Sequence, residues 1–535
     1  MLHQVIVKDI AQERAAGPGP VLDRGRSLVL SRHWPELAAL GGVLVTFLLI
    51  RNMQLHHDAV WQLWIGRQLL HGVGLYSEIL ELNPPLWFWM AIPLVGLAEL
   101  TGLSEASVMI GFMMGSVALS VTLFAALIAD KPAQTRFALL GALVLACTLN
   151  LLDDFGQREH FTLVAALPYV ALIARRMEGH RVSLPLALSI GLFAATGFAL
   201  KHYFALAPLL LEAFFFWQAR RSYTPLRPET IVIGLAAAAY AVATILFAPE
   251  FIRTMVPMVG LAYEGYERPL WVQFRVTFFQ MAPLAICACV IAGRPRSTLA
   301  KAAFVAAFAF LIGYFLQNKG WRYHAVPMTG LLFVGIVAEI CARRAAAEGA
   351  ISAQERKALY FLVPALAFPV LLALFSGPYS NTHRELTERA LRGLDRGDSV
   401  LALSANASAL WPMVEEQGLV FPSRHFTFWM LPTIARKAGD PEAGPRLAAL
   451  GHRIRRETVE DIACHVPRRV MVDSHKNSMS FRGVKFDTLA FFQRDPDFAR
   501  FFSAYRYTGE YGRLSVYERV GAVVLPKPAR CRPIF

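Results

Sequence analysis

Charge is scarce in this chain. Asp, Glu, Lys and Arg make up 17% of its 535 residues, against about 25% in an ordinary soluble protein. Hydrophobic residues reach 55% and mean hydropathy is +0.42. That much apolar surface excludes a disordered chain, and its arrangement in long runs argues against a soluble globule. Cysteine is scarce too: six residues cannot staple a disulfide scaffold of this length. No repeat of fixed period or low-complexity tract occurs. Walker loop, dinucleotide fingerprint, Gly-x-Ser-x-Gly elbow and zinc-finger spacing are all missing. Residues 1–34 are polar and basic, without the apolar core and cleavage site of a signal peptide. The net charge of +14 is not by itself a nucleic-acid signal.

What the chain has in abundance is apolar runs. They fall at about 35–50, 107–129, 137–152, 161–174, 184–200, 203–218, 229–247, 271–292, 299–317, 325–342 and 358–376. A bilayer crossing needs roughly 20 such residues, so about eleven spans are expected. Pro84–Leu100 is apolar as well, but its prolines and its Trp87/Trp89 pair suit a surface or re-entrant helix. With that segment not spanning and the N-terminus cytoplasmic, cytoplasmic loops hold about fifteen Lys/Arg and outer loops about eight. The predicted organisation is a cytoplasmic segment 1–34, a membrane part 35–376 and an outer soluble α/β domain 377–535. In that last part, Ser399–Leu403 and Arg469–Val472 read as buried strands and Tyr505–Tyr507 with Leu514–Tyr517 as a hairpin. Leu386–Leu394 and the stretch around Arg446–Arg455 read as helices.

This topology gathers the unusual polar residues on the outer side. They are His56-His57-Asp58, Glu78, Glu81, Asp153-Asp154, Arg158-Glu159-His160, Lys201-His202, Tyr263-Glu264 and Lys319 to His324. The most specific string starts just past the first run: Asp58-Ala-Val-Trp-Gln62, Gly66-Arg67, Gly72, Leu75-Tyr76, then Glu81-Leu-Asn83-Pro84-Pro85. It resembles the first outer loop of GT-C membrane glycosyltransferases that use polyprenyl-phosphate sugars, such as protein O-mannosyltransferases and the lipid A aminoarabinose transferase. The resemblance covers roughly residues 35–330 and implies an α-helical polytopic fold with a surface helix after the first outer loop.

The resemblance implies an inverting transfer from a polyprenyl-phosphate-linked sugar to a glycan, lipid or protein acceptor, on the periplasmic face of a bacterial inner membrane. Asp58 is the expected base, since a carboxylate opposite the departing phosphate can take the acceptor hydroxyl proton. Asp153 or Asp154 is expected to orient acceptor or base. Lys201, Lys319 and Arg322 interrupt apolar surroundings at three outer helix ends, where buried cations need an anionic partner. A lipid phosphate would serve. Arg158 and His324 are further candidates of this kind, with Arg275 a weaker one; either Arg158 or His160 meets phosphate while the other supports the loop. Glu81 is expected either to hold the loop in shape or to bind acceptor, and Tyr263 either to cover the sugar or to belong to the interface belt. A divalent metal is not favoured: adjacent His56, His57 and Asp58 rarely converge on one ion, and cations can fill its role. Two other classes compete. A flippase for lipid-linked sugars would show repeats and mid-membrane charges. A non-catalytic scaffold would not need the acidic loop.

Overall fold

The computed structural model describes residues 21–148, 151, 154–291, 295–346, 384–473, 481–525, 528 and 531–535, with isolated positions between 353 and 360. The apolar runs are helices: Val21–Ile50, Glu105–Leu127, Ala133–Ala146, Arg158–Met177, Leu184–Phe198, Leu206–Ala219, Pro228–Phe247, Leu270–Ile291, Thr298–Leu316 and Val326–Ala346. The expected run at 358–376 and the residue Asp153 lie outside the described residues. Among the described residues, five helices are long and apolar enough to cross a membrane, and others are shorter apolar helices. A helix of 20 residues spans about 30 Å, the thickness of the hydrocarbon layer. The chain is a multi-pass membrane protein.

Helix ends follow ordinary capping chemistry. Ser104 accepts from the Ser107 N–H at 3.1 Å, and Ser297 from the Ala300 N–H at 3.1 Å. Arg158–Met177 forms the centre of the bundle, with every residue from Arg158 to Ala174 buried. Short connections make successive helices run up and down. One end of the bundle therefore collects Arg176, Arg227 and Arg343, each held by a fully buried carboxylate of Glu229 or Glu339. The other end collects Asp58, Arg158, Lys201, Lys319 and Arg322.

The segment expected as a surface or re-entrant helix is a helix, Leu86–Thr101, of 16 residues. Trp87 and Phe88 at its start line the cavity described below. Near its other end Glu99 meets His71 at 3.0 Å, and the following Glu105 meets Arg67 at 2.8 Å. His71 and Arg67 belong to or abut the preceding helix His57–Leu70. Both ends of Leu86–Thr101 thus lie at the cavity end of the bundle, and the helix does not cross it. The two helices touch at Gly66, where an added Cβ would stand 2.7 Å from the Ala91 Cβ and 3.0 Å from its carbonyl carbon. Backbone cannot yield as a side-chain tip can. Gly66→Ala is expected to destabilise the protein by about 1–3 kcal/mol, checked by thermal unfolding in detergent; an unchanged midpoint would show that the contact is loose.

The C-terminal part is α/β. Its sheet has the order β1-β2-β4-β3, with β1 Val400–Leu403, β2 Arg469–Asp473, β3 Tyr505–Tyr511 and β4 Leu514–Arg519. β1 and β2 are parallel, and the other pairs antiparallel. Helix Ala443–Cys464 lies on the crossover between the parallel strands, and Arg384–Leu391 covers part of the predicted 386–394 helix. A disulfide joins Cys464 to Cys531. Beyond it, the Phe535 carbonyl accepts from Gln68 Nε2 at 2.7 Å and Arg67 Nε at 3.0 Å. Arg67 also donates to Glu415 at 2.6 Å, and the Leu80 N–H to the Arg424 carbonyl at 2.9 Å. The sheet domain is thereby fastened to the first outer loop.

Candidate active site

A cavity of about 1850 Å³ opens where the helix ends, the first loop and the sheet domain meet. Helix His57–Leu70 delivers Asp58 in its first turn, where the helix dipole favours a carboxylate. His56 caps that helix: its Nδ1 accepts from the Asp58 N–H at 3.4 Å and from Gln157 Nε2 at 3.1 Å. Burial, together with the neighbouring His57, pushes the His56 imidazole down to about 3. Asp58 is 29% exposed and lies 3.6 Å from His57 Nε2. Burial raises its pKa, but His57, His56, Arg158 and Lys201 outweigh that and hold it below the ordinary carboxylate value. Asp58 is therefore ionised at neutral pH, as a proton acceptor must be.

Glu81 has a different setting. It is 3% exposed; one oxygen accepts from Trp61 Nε1 at 2.7 Å and the other from the Asn83 backbone N–H at 2.9 Å. Burial pushes it up despite those bonds. Its bonds hold the bend that carries the chain from Tyr76 to Pro84, and both Glu81 and Asn83 face the cavity.

The cations come from separate helix ends to one cavity. Lys201 is already paired: Nζ donates to Glu159 Oε1 at 2.5 Å and lies 3.4 Å from His324 Nε2. Burial lowers it to about 8 against the pull of Glu159. Lys319 donates to the Tyr263 carbonyl at 3.1 Å and stands over that ring; burial brings it to about 8, opposed chiefly by Glu267. Arg322 pairs with Asp154 at 2.9 Å. Asp154 is thus a partner of a cavity cation. Arg158 differs from all of these: it is 7% exposed, lines the cavity, and its buried Nη1 has no hydrogen-bond partner among the described residues. His160 is turned away. Its Nδ1 accepts from the Gly156 N–H at 3.2 Å and its Nε2 donates to the Cys147 carbonyl at 2.9 Å, so it supports the loop. Arg275 stands over Trp271 and is not a lining residue. His324 and Tyr263 do line the cavity.

Two features escaped the sequence reading. The ligand atoms of His56, His57 and Asp58 lie within 4.8 Å of one another, so adjacency does not keep them apart. The sheet domain also supplies lining residues, among them Asn406, Phe426, Trp429 and Arg513. A sequence signal existed only for Asn406, which lies just beyond β1, since ligands gather at the carboxyl ends of parallel strands.

No family model and no curated protein matches the sequence. Among solved structures, ArnT from Cupriavidus metallidurans is similar in its apo state, with a TM-score of 0.55 and 13% identity. The same protein bound to undecaprenyl phosphate is similar with a TM-score of 0.51. Each match covers 92% of this chain and 99% of ArnT. The likeness runs over nearly the whole of both chains and shows that this chain has the fold of ArnT, the GT-C fold.

Proposed function

We propose that the protein is an inverting glycosyltransferase that takes a sugar from a polyprenyl-phosphate carrier on the outer side of the membrane. The observation that supports this best is the composition of one cavity: an ionised Asp58 shares it with a set of cations that includes Arg158 with an unpartnered N–H. From there the cavity continues along helix Pro228–Phe247 past Ile233, Ala237, Ala241 and Ile245. Such a site accepts a ligand that is anionic at its head and hydrocarbon behind it. In the reaction, Asp58 takes the proton of an acceptor hydroxyl as its oxygen bonds to the anomeric carbon. The bond from that carbon to the phosphate oxygen breaks on the opposite face, and polyprenyl phosphate leaves with the electron pair. Arg158, with Lys201, Lys319 and Arg322, bears the charge that accumulates there. In this reading the cations fill the charge role without a divalent ion.

The Cys464–Cys531 disulfide supports an outer location for the sheet domain, because such bonds persist in oxidising compartments. The same reading places the N-terminal segment 1–34 in the cytoplasm and the protein in a bacterial inner membrane.

The test is incubation of the purified protein with undecaprenyl-phosphate sugars, radiolabelled in the sugar, and a membrane extract. Label is expected to move to an acceptor while undecaprenyl phosphate is released; a protein that consumes none of the donors is not this enzyme. The lysines add a pH signature. Both are cationic at pH 7 and lose their charge as pH rises through about 8. Equilibrium binding of undecaprenyl phosphate is therefore expected to weaken across that range, and constant affinity well above pH 8 would remove both lysines from the phosphate site.

A further inference from the structure

The sheet domain meets the cavity at the carboxyl ends of its two parallel strands. Beyond β1, the Asn406 N–H donates to Ser404 Oγ at 3.0 Å, and Ser404 Oγ donates to Asp473 Oδ2 at 2.9 Å at the end of β2. Asp473 Oδ1 accepts from Arg513 Nε at 3.0 Å. Arg513 and Asn406 both line the cavity. Asn406 Oδ1 is committed to Ser408, accepting from its N–H at 3.2 Å and its hydroxyl at 3.0 Å. Its Nδ2 has no hydrogen bond to the described residues.

Against this polar corner stands an aromatic wall. Tyr266 donates to the Ala405 carbonyl at 2.7 Å, fixing it beside Asn406. Tyr266 and Tyr263 have ring centroids 5.6 Å apart, and Tyr263 meets Trp429 edge-on at 5.6 Å. The membrane part supplies the tyrosines and the sheet domain the tryptophan. All three line the cavity.

We propose that this corner is the acceptor subsite and that it takes a neutral saccharide. The role as an acceptor subsite rests on the glycosyltransferase reading; the saccharide chemistry rests on the corner itself. Planar amide and guanidinium groups donate to ring hydroxyls. The C–H face of a pyranose packs on aromatic rings, as apolar surfaces do. Asp473 balances the Arg513 charge, so Asn406 and Arg513 offer directional donors without a net charge of their own to demand an anion. Lys319 adjoins the corner, donating to the Tyr263 carbonyl and standing over its ring, which sets the acceptor beside the donor phosphate.

The experiment is saturation-transfer NMR on the full-length protein in detergent, with chitobiose, cellobiose, maltose and mannobiose as probes. Undecaprenyl phosphate binding is measured on the same samples. At least one disaccharide is expected to receive magnetisation. Asn406→Ser keeps a capping oxygen and removes the amide, so affinity is expected to fall about tenfold, the worth of one hydrogen bond. Arg513→Lys keeps the charge opposite Asp473 and loses the planar fork. It is expected to weaken the same probe, and it decides the matter if Asn406→Ser does not fold. Undecaprenyl phosphate binding should be unchanged in both. Binding of no disaccharide, or equal binding to wild type and variants, overturns the subsite. Disaccharide binding without undecaprenyl phosphate binding would instead overturn the donor reading and leave the subsite standing. Saccharides attached to lipid and free saccharides share this chemistry. Repeating the titration with an alkyl maltoside in place of maltose, in a detergent without a sugar head, separates them: tighter binding of the alkyl form marks a lipid-linked acceptor, and equal binding a free one.

Discussion

Asp58→Asn is expected to fold, to bind undecaprenyl phosphate and to transfer sugar about 10²–10⁴-fold more slowly, the usual worth of a positioned base. The substitution keeps the shape of the side chain and removes the proton acceptor. Folding should survive because Asp58 lies at a helix start and is 29% exposed, with histidines as its nearest polar neighbours. Donor binding should survive because the anionic head is held by the cations and not by Asp58. The helix would lose one favourable dipole interaction, about 0.3–1 kcal/mol, too little to explain a loss of that size through unfolding. Donor binding and single-turnover transfer are measured on the same preparation. Near-wild-type turnover would move the base elsewhere. Asp154 would not be the next choice, because it is paired with Arg322. Loss of folding together with binding would make Asp58 structural.

Arg158→Gln is expected to lower transfer by about 10²–10³-fold, the range seen when one charge-stabilising donor is removed from a site. It should also weaken undecaprenyl phosphate binding. Arg158 is a cleaner probe of the phosphate site than Lys201. Removing Lys201 would strand Glu159, which is fully buried, and breaking a buried pair costs about 3–5 kcal/mol. A Lys201→Ala result would therefore mix lost stability with lost binding. Arg158 has an unpartnered Nη1, so Gln there strands no hydrogen-bonded partner. Binding is read by native mass spectrometry and folding by thermal unfolding. Unchanged transfer and affinity in a folded Arg158→Gln protein would exclude it from the phosphate site. Full rescue by Arg158→Lys would show that charge alone suffices, whereas partial rescue would mark a use of the guanidinium's forked geometry.

Local pattern was enough for the elements and for the first loop. Long apolar runs can bury themselves only as helices in lipid, so the positions of the ten runs among the described residues were legible. The short strands Val400–Leu403 and Arg469–Asp473 were legible because continuous β-branched or aliphatic runs between turn residues leave few alternatives. Asp58 and Glu81 stood out because carboxylates are rare beside such runs. Charge bias in the loops set which helix ends share a side, and this brought Lys201, Lys319 and Arg322 to one face before any contact was known.

Partnership was not legible. Lys201 and Glu159 are 42 residues apart, and Arg322 and Asp154 are 168 apart. Nothing local distinguishes a cation that awaits a phosphate from one that already holds a carboxylate. Only helix packing decided that Lys201 and Arg322 are paired and that Arg158 keeps an open N–H, while His160, two residues on, turns back to Cys147. The contribution of the sheet domain was equally hidden. Asn406 and Arg513 reach the cavity because β1, β2 and β4 are neighbours and because Gln68, Arg67 and Tyr266 fasten that domain to the loops. The sequence by itself determined a helical membrane protein with an acidic first loop, since burial and charge cost act on each segment separately. The tertiary structure decided which charges face each other across the cavity, because electrostatic pairing depends on distances between segments that no local pattern encodes.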